Sequence, residues 1–258
     1  MYKVKFKDLI LVSNKNKILS NFKTIFFFYG IGNSSEDFKF LFKNLRRSYQ
    51  LIIFELPGHN KNKFSYNLNY SLESFSKSIL QLVKKKNLKD FIFFSHSVGG
   101  IIPILIAKSL KKRKNIKKFI NYEGNLTNYD TNTITKKTSN YEMKEFNSKF
   151  KKLIEICLKS DSKSINLWAN SLKKTSANAF YQISRDAVKF SYKRSLLVFF
   201  RVFFKRKIFL YGSTSELHIP KFFFGSERFA IVDSGHFAFY DNRYKFLNLF
   251  SKLIYNCK

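Results

Sequence analysis

Cysteine is nearly absent from this chain of 258 residues. Its two cysteines, Cys157 and Cys257, stand far apart, form no disulfide framework and match no metal-ligand spacing. A reducing, cytoplasmic location is the expectation, with no metal or cofactor ligand set. Long apolar runs are also missing. The runs at 25–29 and 101–107 are too short to span a bilayer, so no transmembrane segment is expected. Lys3, Lys5, Lys7 and Asp8 break up the first residues, which excludes the apolar core of a secretion signal there. Acidic residues are scarce too: 17 Asp and Glu face 48 Lys and Arg, a formal net charge of +31. Such a balance raises the question of nucleic acid or an anionic membrane. The lysines, however, are spread along the whole length among abundant Asn, Ile, Phe and Tyr, the set that AT-biased coding produces. No aromatic-basic signature accompanies them. A solvated basic surface and no specific nucleic-acid partner are expected, with a field that attracts an anionic substrate or an acidic carrier protein. No internal repeat is evident.

What is present is 45% apolar residues, enough for one large α/β domain with an inserted segment. The first half alternates short apolar runs with helical patterns, the signature of βαβ units. Residues 25–29, 51–55, 91–94 and 118–122 read as buried strands, and strand signals return at 207–211 and 228–232. Leu72, Phe75, Ile79, Leu82 and Val83 share one helical face behind a Ser71 N-cap. A second helix follows Ser97, and an amphipathic one carrying Phe246, Leu249, Phe250, Leu253 and Ile254 closes the chain. From 125 to 205 strand signals vanish and helical stretches dominate. The expected organisation is a core of 1–124 and 206–258 with a helical cap inserted at 125–205. The stretch 196–207, apolar on nearly all sides before a basic end, reads as a helix packed between cap and sheet rather than a membrane-binding one.

A serine hydroxyl becomes a nucleophile when it is held out of the core, given a base and supplied with donors for the oxyanion it creates. A sharp strand-to-helix turn with small residues two positions either side meets the first need. Phe93-Phe94-Ser95-His96-Ser97-Val98-Gly99-Gly100 has that form, with Ser95 and Gly99 as the small residues. Tyr29-Gly30-Ile31-Gly32-Asn33 follows the first buried strand, Glu55-Leu56-Pro57-Gly58-His59 the second, and Asp233-Ser234-Gly235-His236-Phe237 the last.

Together these four segments resemble the α/β-hydrolase fold superfamily in order and spacing. That resemblance implies a mostly parallel central sheet flanked by helices, with Ser97 as nucleophile in a Ser-x-Ser-x-Gly elbow that departs from Gly-x-Ser-x-Gly at Ser95. The loop at Gly30 is similar to the superfamily's His-Gly-x-x-Gly loop, with Tyr29 in place of histidine, and implies the N–H groups of Ile31 and Val98 as the oxyanion hole. The turn at Pro57 resembles Asp-x-Pro-Gly-His-Gly, with Glu55 for Asp and Asn60 for the last Gly, and implies a structural role for His59. Gly235-His236 implies His236 as base. His96, beside the nucleophile, is expected to point elsewhere, and His218 to lie on a loop. The place after the penultimate strand where relatives carry an Asp holds Ser215, with Glu216 next to it, so the acid is either Glu216 or Glu123 after the preceding strand. A similar subgroup with a Glu-Gly-Asn-Leu turn favours Glu123. The implied activity is serine hydrolysis of a carboxylic ester or thioester through an acyl-enzyme, with an aromatic-rich cap suited to a hydrophobic acyl or aryl group. A carbon–carbon-bond hydrolase of the same fold and a non-catalytic binding protein are the alternatives.

Overall fold

The computed structural model describes residues 1–60, 70–110, 112–132, 134–192, 195–218 and 226–255, the side chains of Glu216, Leu217 and His218 excepted. Cys257 lies outside the described residues. Eight strands form one sheet in the order β1-β2-β4-β3-β5-β6-β7-β8. They are β1 (Tyr2–Phe6), β2 (Leu9–Ser13), β3 (Lys23–Phe28), β4 (Tyr49–Phe54), β5 (Phe91–His96), β6 (Ile116–Tyr122), β7 (Lys207–Gly212) and β8 (Glu227–Ile231). β2 pairs antiparallel with β1 and β4, while the pairs from β4 through β3 to β8 are parallel. Parallel strands covered on both faces must be apolar throughout. β4 and β5 are buried along their whole length, and Phe26, Phe27 and Phe28 of β3 are at most 1% exposed. Across β3 and β5 the rings of Phe27 and Phe94 stack at 5.1 Å.

Helices α1 (Leu72–Lys85), α2 (Ile101–Ser109) and α9 (Arg243–Tyr255) flank the sheet, with the short α8 (Ala238–Asp241) leading into α9. Ser71 caps α1 as its sequence requires, accepting the Ser74 N–H, and Leu72, Phe75, Ile79, Leu82 and Val83 are buried. Between β6 and β7 lie α3 (Ile134–Ser139), α4 (Met143–Leu158), α5 (Lys163–Leu172), α6 (Ala177–Ser191) and α7 (Ser195–Phe203), with no strand among the described residues. None of the described helices is long and apolar enough to cross a membrane.

Two features differ from the sequence expectation. Residues 2–13 form the β1–β2 hairpin at the sheet edge. Lys3, Lys5 and Lys7 alternate with Val4 and Phe6, a period-two pattern that keeps an edge strand soluble and that reads from sequence merely as an absence of signal peptide. Helix α7 does pack between α6 and the sheet, with Leu196, Leu197 and Phe200 buried and the Phe200 ring 5.3 Å from that of Phe119 of β6, but Val198 and Val202 are 52% and 71% exposed, so it is not enclosed on all sides.

The chain leaves β3 for β4 on one side and returns across it to β5 on the other. The C-terminal ends of β3 and β5 therefore sit side by side where the strand order reverses, the place at which open α/β sheets leave a crevice.

Candidate active site

β5 ends at His96, and the next residue, Ser97, adopts φ +54° before a turn of 3-10 helix leads into α2. A non-glycine residue in that region costs on the order of 1–3 kcal/mol and persists only where its surroundings fix it. Here the packing beneath the turn does so. A Cβ on Gly99 would lie 2.3 Å from the carbonyl oxygen of Phe28, so only glycine lets the turn sit this close to β3. The turn lifts Ser97 out of the core while both neighbours, His96 and Val98, stay 1% exposed.

The loop after β3 is clamped from three directions. The Asn33 N–H donates to the Gly30 carbonyl (3.2 Å), closing a tight turn. The peptide between Ile31 and Gly32 is gripped at both ends. Its carbonyl accepts the Trp168 indole N–H from α5 (3.0 Å), and its N–H donates to His59 Nε2 (2.9 Å). Fixing that peptide fixes the orientation of the Ile31 residue preceding it. His59 meets this need as a neutral ring. Its Nδ1 donates to the Pro57 carbonyl (3.0 Å), and burial pushes its pKa down to about 4 against the pull of that hydrogen bond. The turn at Pro57 thus supports the loop directly. The two departures at Tyr29 and Glu55 are partners: the Tyr29 hydroxyl donates to Glu55, accepts the Leu56 N–H (2.8 Å), and so ties the loop to the turn.

Glu123 follows β6 with φ +41° and brings its carboxylate to His236, Oε2 lying 2.7 Å from Nδ1. Its Oε1 accepts the Gly212 N–H from the end of β7 (2.8 Å), and the Ser215 hydroxyl also donates to it. Burial opposes its ionisation, but the hydrogen bond and charge of His236, with these two donors, outweigh burial and hold the carboxyl below its usual range. Ser215 occupies the position where the superfamily's Asp was sought, and there it serves Glu123. Of Glu216 the structure describes the backbone alone.

The His236 segment is anchored at successive residues. His96 Nε2 donates to the His236 carbonyl (2.9 Å), Tyr122 donates to the Gly235 carbonyl, and the Gly235 N–H donates to Asp241 (2.9 Å). Burial and the neighbouring His236 lower the His96 pKa well below the usual value, which keeps that ring a neutral donor. Ser97 and His236 face one cavity. No hydrogen bond joins them.

The cavity has a volume of about 540 Å³ and spans the loop after β3, Ser97, the Glu123–His236 pair and the helices above them. Its wall is mostly apolar, formed by Ile31, Ile134, Ile165, Trp168 and Phe237 among others. Among its described lining residues there is no Lys or Arg, and the two carboxylates are Glu123 and Asp130. Trp168 stacks on Phe237, the residue after His236, with ring centroids 5.7 Å apart. The structural role implied for His59 is the one it has, while sequence reasoning missed Trp168 and the clamping role of His96. A single tryptophan in an otherwise helical stretch was the available signal for the first.

Comparison with known proteins agrees with this fold. Residues 23–140 match the family model described as alpha/beta hydrolase fold. A Mycoplasma pneumoniae protein named "Putative esterase/lipase 2" is 27% identical over 88 residues, 34% of this chain and 33% of that protein. The chain thus matches about a third of that relative's length. Among solved structures, MenH from S. aureus covers 95% of this chain and 97% of its own at a TM-score of 0.73 and 13% identity. The esterase EaEST from Exiguobacterium antarcticum covers 95% and 96% at a TM-score of 0.70 and 15% identity. With its sheet order, its strand-to-helix turn after β5 and its helical segment between β6 and β7, the chain has the α/β-hydrolase fold.

Proposed function

We propose that the protein is a serine hydrolase cleaving a carboxylic ester or thioester, with Ser97 as nucleophile, His236 as base and Glu123 as the third member of the triad. The observation that carries this reading is the 2.7 Å contact between Glu123 and His236 Nδ1 on the cavity into which the left-handed Ser97 turn opens. Bound at Nδ1, the ring keeps Nε2 for the serine proton. Ser97 Oγ attacks the acyl carbon as that proton passes to His236. The tetrahedral oxyanion is held by the N–H groups of Ile31 and Val98, and the leaving alcohol or thiol takes the proton from His236. Water, deprotonated by the same ring, then cleaves the acyl-enzyme. The apolar wall suits a hydrophobic acyl or aryl group, and the helices α3–α7 act as the cap that encloses it. The names of the relatives, an esterase/lipase and an esterase, support ester chemistry.

The test is turnover of a short-chain aryl ester. Ser97→Ala is expected to lose about 10⁴-fold or more in kcat, and Ser97 to react with a fluorophosphonate probe. Glu123→Gln, which leaves the geometry but removes the charge behind the imidazole, is expected to lose about 10⁴-fold with little change in KM, while Glu216→Gln stays near wild type. Equal turnover by wild type and Ser97→Ala would sink the nucleophile assignment. A larger effect from Glu216→Gln would move the acid.

A further inference from the structure

The elbow differs from Gly-x-Ser-x-Gly in one residue, Ser95, and the triad acid proposed above is at the end of β6 rather than β7. These two departures touch. Ser95 is fully buried, and its hydroxyl donates to Asn121 Oδ1 on the neighbouring strand (2.7 Å). Asn121, also fully buried, turns its amide to the carbonyl of Gly124 (3.3 Å), the residue immediately after Glu123. The turn is gripped again one residue later, where the Asn125 N–H donates to the Ser97 carbonyl (3.0 Å). We propose that Ser95 is a positioning residue for Glu123, acting through Asn121, so that the serine in the elbow is what holds the acid at the end of β6.

The physical need is plain. Glu123 sits at φ +41°, a strained conformation for a side chain with a Cβ, and it persists only if the turn around it is over-determined. Asn121 supplies that constraint from beneath, in a space that glycine alone leaves open: a Cβ on Gly124 would fall 1.9 Å from Asn121 Oδ1. The amide can keep its N–H₂ on the Gly124 carbonyl only while its oxygen, which also lies against the turn, has a donor of its own. Among the described residues Ser95 is the side chain that supplies one. Without the hydroxyl, Asn121 carries a buried, unpaired acceptor, a state that costs about as much as a lost hydrogen bond or more. Rotation of the amide to repair it would release Gly124 and let Glu123 relax toward an ordinary backbone conformation, away from His236.

This inference rests on the proposed triad, and its test separates the two. Ser95→Ala and Ser95→Gly are made in wild type and in the Glu123→Gln background, and each is followed by aryl-ester kinetics, by the rate of fluorophosphonate labelling at Ser97, and by the far-downfield NMR signal of the His236 Nδ1 proton. Both substitutions are expected to lower kcat and labelling about tenfold, with KM within about twofold, and to weaken the Nδ1 proton signal. Ser95→Gly is the pointed case, because it restores the usual elbow residue and is expected to be the worse enzyme. In the Glu123→Gln background, where there is no charge left to position, either substitution is expected to change kcat by less than about twofold. Equal losses in both backgrounds, or an unaltered Nδ1 proton in the Ser95 variants, would overturn the relay. Failure of wild type to turn over esters or to label would instead count against the hydrolase reading, and the imidazole proton would still report whether Ser95 governs the Glu123 contact.

Discussion

His59 shows how much a single buried ring carries in this site. In the folded chain burial pushes its pKa down to about 4, whereas the unperturbed value is 6.5. Between those two values the unfolded chain binds a proton that the folded chain refuses, so stability rises with pH across this window and is lost as pH falls through it. The full shift corresponds to about 3 kcal/mol for His59 alone, and His96, lowered for the same reason, acts in the same direction. Denaturant unfolding measured from pH 7 to pH 4 is therefore expected to show a loss of at least that size, and His59→Gln, which cannot gain the charge, to remove about 3 kcal/mol of it. An unchanged slope in His59→Gln would show that the ring is not the group being titrated. Why sequence reasoning reached some site residues and not others also belongs to this scale. Ser97 and His236 stand in contiguous motifs whose spacing reflects one tight turn each, so neighbours in sequence carry the signal. The hydrogen bond between Tyr29 and Glu55 crosses 26 positions, and that between His59 and Gly32 crosses 27. From sequence Tyr29 and Glu55 stand as isolated departures and His59 as a structural residue without a partner, because each partner lies in the loop after a different strand.

Helix α5 is the element that joins the segment between β6 and β7 to the loop after β3. Ser162 caps it, accepting the Ile165 N–H, and its inner face places Trp168 on the Ile31 carbonyl and Ser171 on Asp37 Oδ1 (2.6 Å). If the loop supplies the oxyanion donor proposed above, a helix that grips it acts on the transition state more than on substrate binding. Trp168→Phe keeps a ring to stack on Phe237 and removes the N–H together with part of the indole's volume. It is expected to lower kcat about three- to tenfold, the value of one hydrogen bond, with a smaller change in KM, and to lower the thermal midpoint through the packing lost. Steady-state kinetics beside thermal melts would decide it: a loss confined to KM would make α5 a wall of the pocket and nothing more. The elements themselves were legible where periodicity was strong, as in the fully buried strands and in α1. The hairpin β1–β2 was hidden by its lysines, and the exposure of α7 by an apolar content that does not distinguish an inner face from an outer one.

At the scale of the whole molecule, the surface and the pocket carry opposite signs. The chain has a formal net charge of +31, yet the described lining of the cavity holds Glu123 and Asp130 and no Lys or Arg. The outer field draws anions toward the protein and is screened beyond about 10 Å at 0.1 M salt. Inside, a third negative charge would meet two carboxylates in a partly desolvated site, at a cost of up to about 4 kcal/mol on close approach. Steering and selection therefore diverge for an ester whose acyl chain ends in a carboxylate. Its kcat/KM is expected to lie at least about tenfold below that of an uncharged ester of equal length at 0.15 M salt, and to fall further as salt rises and steering is screened. The uncharged ester is expected to show little salt dependence. A negative charge placed on the leaving group instead is expected to raise kcat/KM at low salt, the behaviour that delivery by an acidic carrier would require. Faster turnover of the anionic acyl chain at every salt concentration would mean that the pocket does not exclude anions, and the separation of charge between surface and site would have no bearing on substrate choice.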